Sequence, residues 1–131
     1  MLKLFLLGLL SLSLYASDLK WFDSYAKAQK SATALNKPML VFMNKAGCGS
    51  CTYMKENVFT DPSVVSYLNE HFIAVSLDIN KNDAPQSLKV NVTPVFHFLK
   101  SDGSKSIETL IGGKTAPFFL KLLKEADSSA K

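Results

Sequence analysis

The chain has 131 residues, 47% of them apolar and 20% charged, with a formal net charge of +4. That length suits one globular domain with a sizeable core and leaves no room for a second. All 15 basic residues are lysines and they are scattered, so nucleic-acid binding, which favours arginine for bidentate base contacts, gains no support.

Lys3 precedes an apolar run from Leu4 to Leu14, followed by the small residue Ala16. The run is shorter than the ~20 apolar residues that span a bilayer. Residues 1–16 therefore read as a secretory signal peptide cut after Ala16, with an uncleaved anchor as the rival reading. Residues 17–131 form the remaining domain.

Within that domain Trp21, Tyr25, Ala28, Ala32 and Leu35 recur at helical spacing, which predicts an amphipathic helix over 23–36, ended by Pro38. Met39 to Met43 is a continuous apolar run of strand length, as in a central strand covered on both faces. The loop Lys45-Ala46-Gly47 then leads into a helix over 48–59, with Cys51, Met54 and Val58 on its inner side. Asp61-Pro62 caps the next helix, whose buried stripe is Val64, Val65, Leu68 and Phe72. Ile73 to Leu77 predicts a strand, and Ala84-Pro85 a single helical turn. Val95 to Leu99 forms a strand opened by Thr93-Pro94 and closed by the turn at 101–103. Ile107, Thr109 and Ile111 alternate in a last strand ending at Gly112-Gly113. The final helix places Phe118, Phe119, Leu122 and Leu123 on one side, with a frayed tail from Asp127. This alternation predicts an α/β fold, a four-stranded mixed sheet with helices on both faces.

Cys48 and Cys51 are the two cysteines of the chain and sit where the strand pattern gives way to the helix, as Cys-Gly-Ser-Cys. In an exported protein most cysteines staple the fold. A bridge this short is a poor staple, because the stabilisation grows with the loop closed. The pair therefore points to chemistry, either reversible redox or a soft-metal grip. A thiolate is the nucleophile in exchange, and a helix start favours negative charge. Cys48 is thus the expected attacking sulfur and Cys51 the resolving one. Under a metal reading, a Cu(I) carrier or a zinc site completed by His71 and His97 is the alternative. His71, at a helix C-terminus, reads more simply as a solvated residue, and His97, between Phe96 and Phe98, as a satisfied sheet residue. A binding module on the same scaffold is a third class.

The element order, with Cys-Gly-Ser-Cys after the first central strand and Thr93-Pro94 about forty residues later, resembles the thioredoxin superfamily. Trp21, Asn36-Lys37-Pro38, Met54 after the cysteine pair, Asp61-Pro62, Val64-Val65 and Leu68-Asn69 are similar to the exported thioredoxin-related proteins of bacteria. They also resemble the periplasmic carboxy-terminal domain of the transmembrane disulfide reductase. The resemblance implies a thiol-disulfide oxidoreductase with Cys48 and Cys51 as catalytic residues, a cis Pro94 lying against the pair, and a Thr93 backbone that pairs with an extended substrate segment. Gly47 joins Thr93 and Pro94 on the substrate-binding rim. The sequence departs from cytosolic thioredoxins at Gly47 (tryptophan there), at Ser50 (proline there) and at Phe42, which stands where they keep a buried carboxylate. Lys45 or water is the expected substitute for that carboxylate. The expected protein is a monomeric periplasmic reductase of protein thiols and disulfides, needing no cofactor or metal and recharged by a membrane electron donor; an oxidant or isomerase is the alternative.

Overall fold

The computed structural model describes residues 18–131, and the expected signal segment lies outside them. In chain order the elements are β1 (Trp21–Phe22), α1 (Tyr25–Leu35), β2 (Met39–Asn44), α2 (Gly49–Tyr53) running into a π-helical turn (Met54–Val58), α3 (Pro62–His71), β3 (Ile73–Asp78), a 3-10 turn (Gln86–Leu88), β4 (Val95–Leu99), β5 (Leu110–Ile111) and α4 (Ala116–Ser129).

The sheet has five strands in the order β1-β3-β2-β4-β5, with β1, β3 and β2 parallel and β4 and β5 antiparallel to their neighbours. The expected mixed sheet is present, with one strand more than anticipated. Trp21 belongs to that extra strand and not to α1: it pairs with Ala74, and its ring meets Phe42 and Phe59 at 5.8 and 5.0 Å. The helical spacing of Trp21 with Tyr25 is coincidental, because Ser24 caps α1 and starts it after the tryptophan.

Every residue of β2 is buried, as its unbroken apolar run predicts for a strand covered on both sides. Alternation along β2 and β4 sends Leu40, Phe42, Phe96 and Phe98 to a core shared with α2, α3 and α4. Met39, Val41, Met43, Val95 and Leu99 go to the opposite core with Tyr25, Ala28 and Ala32 of α1. Leu35 stays exposed, so α1 buries a narrower stripe than its sequence suggests.

Three C-terminal expectations change. The last strand is confined to Leu110–Ile111 because Ser106 turns back to Phe98 O at 2.9 Å and Thr109 turns to His97. Phe118 is exposed, and α4 instead buries Phe119, Leu123, Ala126 and Asp127. The tail does not fray at Asp127: its carboxylate accepts from the Tyr67 hydroxyl at 2.7 Å and lies 3.4 Å from His71 Nδ1, which ties α4 to α3. His71 is thus engaged and not simply solvated, its ring stacked on Tyr67 at 4.3 Å. Burial first, then the Asp127 bond, pushes the Tyr67 phenol up to about 12.

Candidate active site

Cys48 caps α2 from an extended conformation, φ −86° and ψ 105°, and its sulfur accepts from the Cys51 backbone N–H at 3.1 Å. The two sulfurs are joined in a disulfide with the Cα atoms 5.2 Å apart. Exposure divides the pair. Cys48 is half-buried at the surface, whereas Cys51 is 1% exposed and packs with Phe42, Met54 and Phe96. Gly47, just before the pair, has φ +78°, a left-handed conformation that disfavours any side chain, although a Cβ there would meet nothing within 4 Å.

The helix that carries the pair changes hand-hold after one turn. Phe59 N–H donates to Met54 O at 2.8 Å, an i to i+5 bond, so the segment expected as one α-helix is α-helical and then π-helical. Met54 is thereby fully buried, and its thioether accepts from Lys114 N–H at 3.4 Å. A Cβ on Gly113 would lie 3.7 Å from Met54 Sδ and 3.8 Å from Ser50 O, ordinary van der Waals distances, so this loop runs close against the cysteine helix without requiring glycine there. The neighbouring Gly112, φ +93°, donates to Pro94 O at 2.9 Å. The Thr93-Pro94 peptide is cis, with Pro94 buried and Thr93 half-buried. Residues 112–114 therefore strap the cis-proline loop to the cysteine helix. Gly112 was legible as a strand end; the Lys114–Met54 bond beside it had no signal in the sequence.

Behind the pair, Phe42 is stacked on Phe96 at 5.0 Å with an interplanar angle of 6°, and no carboxylate takes that position. The expected substitute, Lys45, is exposed in the loop. Lys55 is the amine at this ring instead, its Nζ 6.0 Å from the Phe42 centroid and 3.4 Å from Asn44 Oδ1. Buried Asn44 is held in turn by Ser76 Oγ at 2.8 Å and by the Phe42 and Leu77 carbonyls at 3.2 and 3.3 Å. Lys55 was legible only as a lysine one helical turn after Cys51.

The two histidines are committed elsewhere. His97 Nε2 donates to Leu88 O at 2.9 Å, since a carbonyl only accepts, and its Nδ1 faces Thr109 Oγ1 at 3.0 Å. His97 is 2% exposed, the satisfied sheet residue that its position between phenylalanines suggests. Among the described residues no group of three or more His, Cys, Asp or Glu side chains comes together as metal ligands would, so the histidines are not gathered with the cysteines in a four-ligand zinc site.

Comparison with known proteins agrees with this geometry. The profile of the Thioredoxin-like family matches residues 20–101. A thioredoxin from Thermus thermophilus is 25% identical, with 87% of this chain and 91% of that one covered and a TM-score of 0.73. A candidate disulphide-isomerase from Bacteroides thetaiotaomicron is 28% identical, covering 86% of this chain and 95% of its own, TM-score 0.71. The reduced DsbD C-terminal domain of Neisseria meningitidis shares the fold at 23% identity, with 77% and 91% covered and a TM-score of 0.65. The chain belongs to the Thioredoxin-like family and carries, in Cys48 and Cys51, the Cys-X-X-Cys pair of a thiol-disulfide oxidoreductase.

Proposed function

We propose that this protein is an exported, periplasmic reductase of protein disulfides, a monomer in which residues 1–16 act as a signal peptide and residues 17–131 as the working domain. The observation that carries the reading is the division of labour within the cysteine pair: one sulfur at the surface, the other buried behind it.

In the reduced protein the Cys48 thiolate attacks one sulfur of a client disulfide. A Cys48–client bond forms, and the other client sulfur leaves as a thiolate. The Cys51 N–H that points at Cys48 Sγ, together with the start of α2, favours negative charge on the attacking sulfur. Cys51 then gives up its proton and attacks Cys48 Sγ. The Cys48–Cys51 bond forms and the second client thiolate leaves and is protonated. Two electrons pass to the client. Thr93-Pro94 and Gly47 form the rim on which an extended client segment docks by strand-like pairing to the Thr93 backbone.

The apolar surroundings of Cys51 support the reducing direction, because a cluster of phenylalanines accommodates a neutral disulfide better than a second developing charge. The likeness to the DsbD domain supports it as well, and with it a membrane-bound electron donor, since a periplasmic reductase must be recharged. The 28% identity to a candidate disulphide-isomerase favours isomerisation as a second reading. Turnover of a model protein disulfide with dithiothreitol as donor tests the proposal: it requires both cysteines for reduction. Isomerase action would instead persist in Cys51→Ser when scrambled protein is reactivated, because rearrangement needs only the attacking thiol. Activity that survives in Cys48→Ser would contradict both readings.

A further inference from the structure

Four of the large apolar side chains that stay exposed, Tyr53 (40%), Val92 (47%), Ile111 (66%) and Phe118 (47%), belong to the segments that frame the disulfide. Backbone and side-chain contacts bring them together. Val92 precedes the Thr93-Pro94 peptide, Pro94 O is bonded to Gly112 beside Ile111, and the Cβ site of Gly113 lies 3.8 Å from Tyr53. Phe118 joins them through Lys114, whose Nζ sits 5.5 Å from its ring centroid. Exposed apolar groups gathered on one face mark an interaction surface rather than chance exposure.

The charge on the same segments is one-sided. Residues 44–55, 91–94 and 109–118 contain Lys45, Lys55 and Lys114 and not one carboxylate; Glu56 and Glu108 lie just outside them. None of the three ammoniums pairs with a carboxylate within 4.0 Å among the described residues. Lys55 is held by Asn44 and Lys114 by Phe118, so two of them are positioned. Lys45 and Lys55 are exposed and Lys114 is half-buried, so salt screens them and their field acts on an approaching client more than on buried Cys51.

We infer that this face selects client segments in which the disulfide is flanked by acidic and apolar residues, the apolar groups settling on Ile111, Tyr53 and Phe118 and the carboxylates meeting Lys45 and Lys114. The inference rests on the proposed exchange activity and names its substrate class. An apolar rim gives affinity, and complementary charge sets the encounter rate and suppresses clients of the wrong sign.

The test uses the reduced full chain and three disulfide-linked peptides of one length, with Glu/Leu, Gln/Leu or Lys/Leu flanks. Each rate is divided, at the same salt concentration, by the rate of the same peptide with dithiothreitol, which bears no charge beyond its attacking thiolate, so that differences in leaving-group reactivity cancel. Uncharged bis(2-hydroxyethyl) disulfide serves as a control for exchange itself. The expected result is that the normalised rate for the Glu/Leu peptide exceeds that for the Lys/Leu peptide by about tenfold at low salt, the gap closing at high salt. In the double variant Lys45→Glu, Lys114→Glu the order reverses. Normalised rates that are equal for the three peptides, or an order unchanged in the double variant, would overturn the inference while leaving the exchange activity standing. No exchange with bis(2-hydroxyethyl) disulfide or any peptide would overturn the exchange activity and the client selection together.

Discussion

The backbone N–H of Cys51 donates to the sulfur of Cys48 at 3.1 Å, so the buried residue of the pair supports the half-buried one before any chemistry occurs. The same turn that buries the Cys51 side chain aims its amide outward at Cys48 Sγ, the atom proposed to attack. Sequence spacing, helix start and redox asymmetry are therefore one arrangement.

The two cysteines should fail differently. Cys48→Ser is expected to lower reduction of a protein disulfide at least ~100-fold and to form no mixed disulfide. Cys51→Ser should lose turnover as well but accumulate a covalent client adduct, because attack occurs and resolution does not. Mass determination after quenching with acid separates the two; an adduct in Cys48→Ser and none in Cys51→Ser would reverse the assigned roles.

Phe42 stands where cytosolic thioredoxins keep an acid, and here it joins a ring cluster with Trp21, Phe59 and Phe96. Phe42→Ala should cost about 3–5 kcal/mol in denaturant unfolding, the usual range for a buried aromatic that leaves a cavity. Phe42→Asp should cost at least as much, since the rings around it offer its charge no hydrogen bond and the Lys55 ammonium, 6.0 Å from the Phe42 centroid, offsets only part of the burial. An Asp variant as stable as the parent would mean that this face already accommodates a carboxylate.

His97 makes the fold acid-sensitive. Burial pushes its imidazole below the ordinary value, the Leu88 carbonyl acts against that and Lys105 acts with it. The folded protein therefore gives up this proton more readily than the unfolded chain, which binds more protons between the depressed value and the ordinary one near 6.5. Stability conferred by neutral His97 is fully present above the ordinary value and is lost as pH falls from there through the depressed one. Urea unfolding at pH 7.5 and at pH 5 should show a loss that is smaller in His97→Gln; an identical loss in the variant would remove His97 as the cause.

Asp83 caps α1 from a distant loop, accepting from Tyr25 N at 2.7 Å, Ala26 N at 3.0 Å and Ser24 Oγ at 2.8 Å. Desolvation raises its carboxyl, but these bonds outweigh it, and the net direction is down. Its contribution is thus present above the ordinary carboxylate range and fades as pH falls through the lowered value. Asp83→Ala should cost about 1 kcal/mol in thermal or urea unfolding at pH 7. A variant with unchanged stability would show that Ser24, whose hydroxyl accepts from Lys27 N at 3.3 Å, suffices as the cap.

Much of this architecture was legible because local chemistry and tertiary role coincide. The apolar run of β2 and the Asp61-Pro62 cap of α3 each point to one outcome, and the fold agrees. The misreadings fall where a side chain is claimed by something distant in sequence. Trp21 pairs with β3, Asp127 is held by Tyr67, and Thr109 is drawn from a strand toward His97. Around the disulfide, the Cys48–Cys51 pairing and the cis Thr93-Pro94 peptide were readable from motif and resemblance. Lys55 and the Lys114–Met54 strap were not, because they depend on the π-helical turn that no local pattern announces.

The central claim, a reductase with a surface nucleophile and a buried resolving thiol, is tested most directly by the reduction potential of the Cys48–Cys51 couple. The protein would be equilibrated in defined thiol buffers and its free thiols trapped for mass determination. The account predicts a value near or below about −230 mV, in the range of glutaredoxins and thioredoxin. A value near about −120 mV would mark a protein oxidant and contradict it.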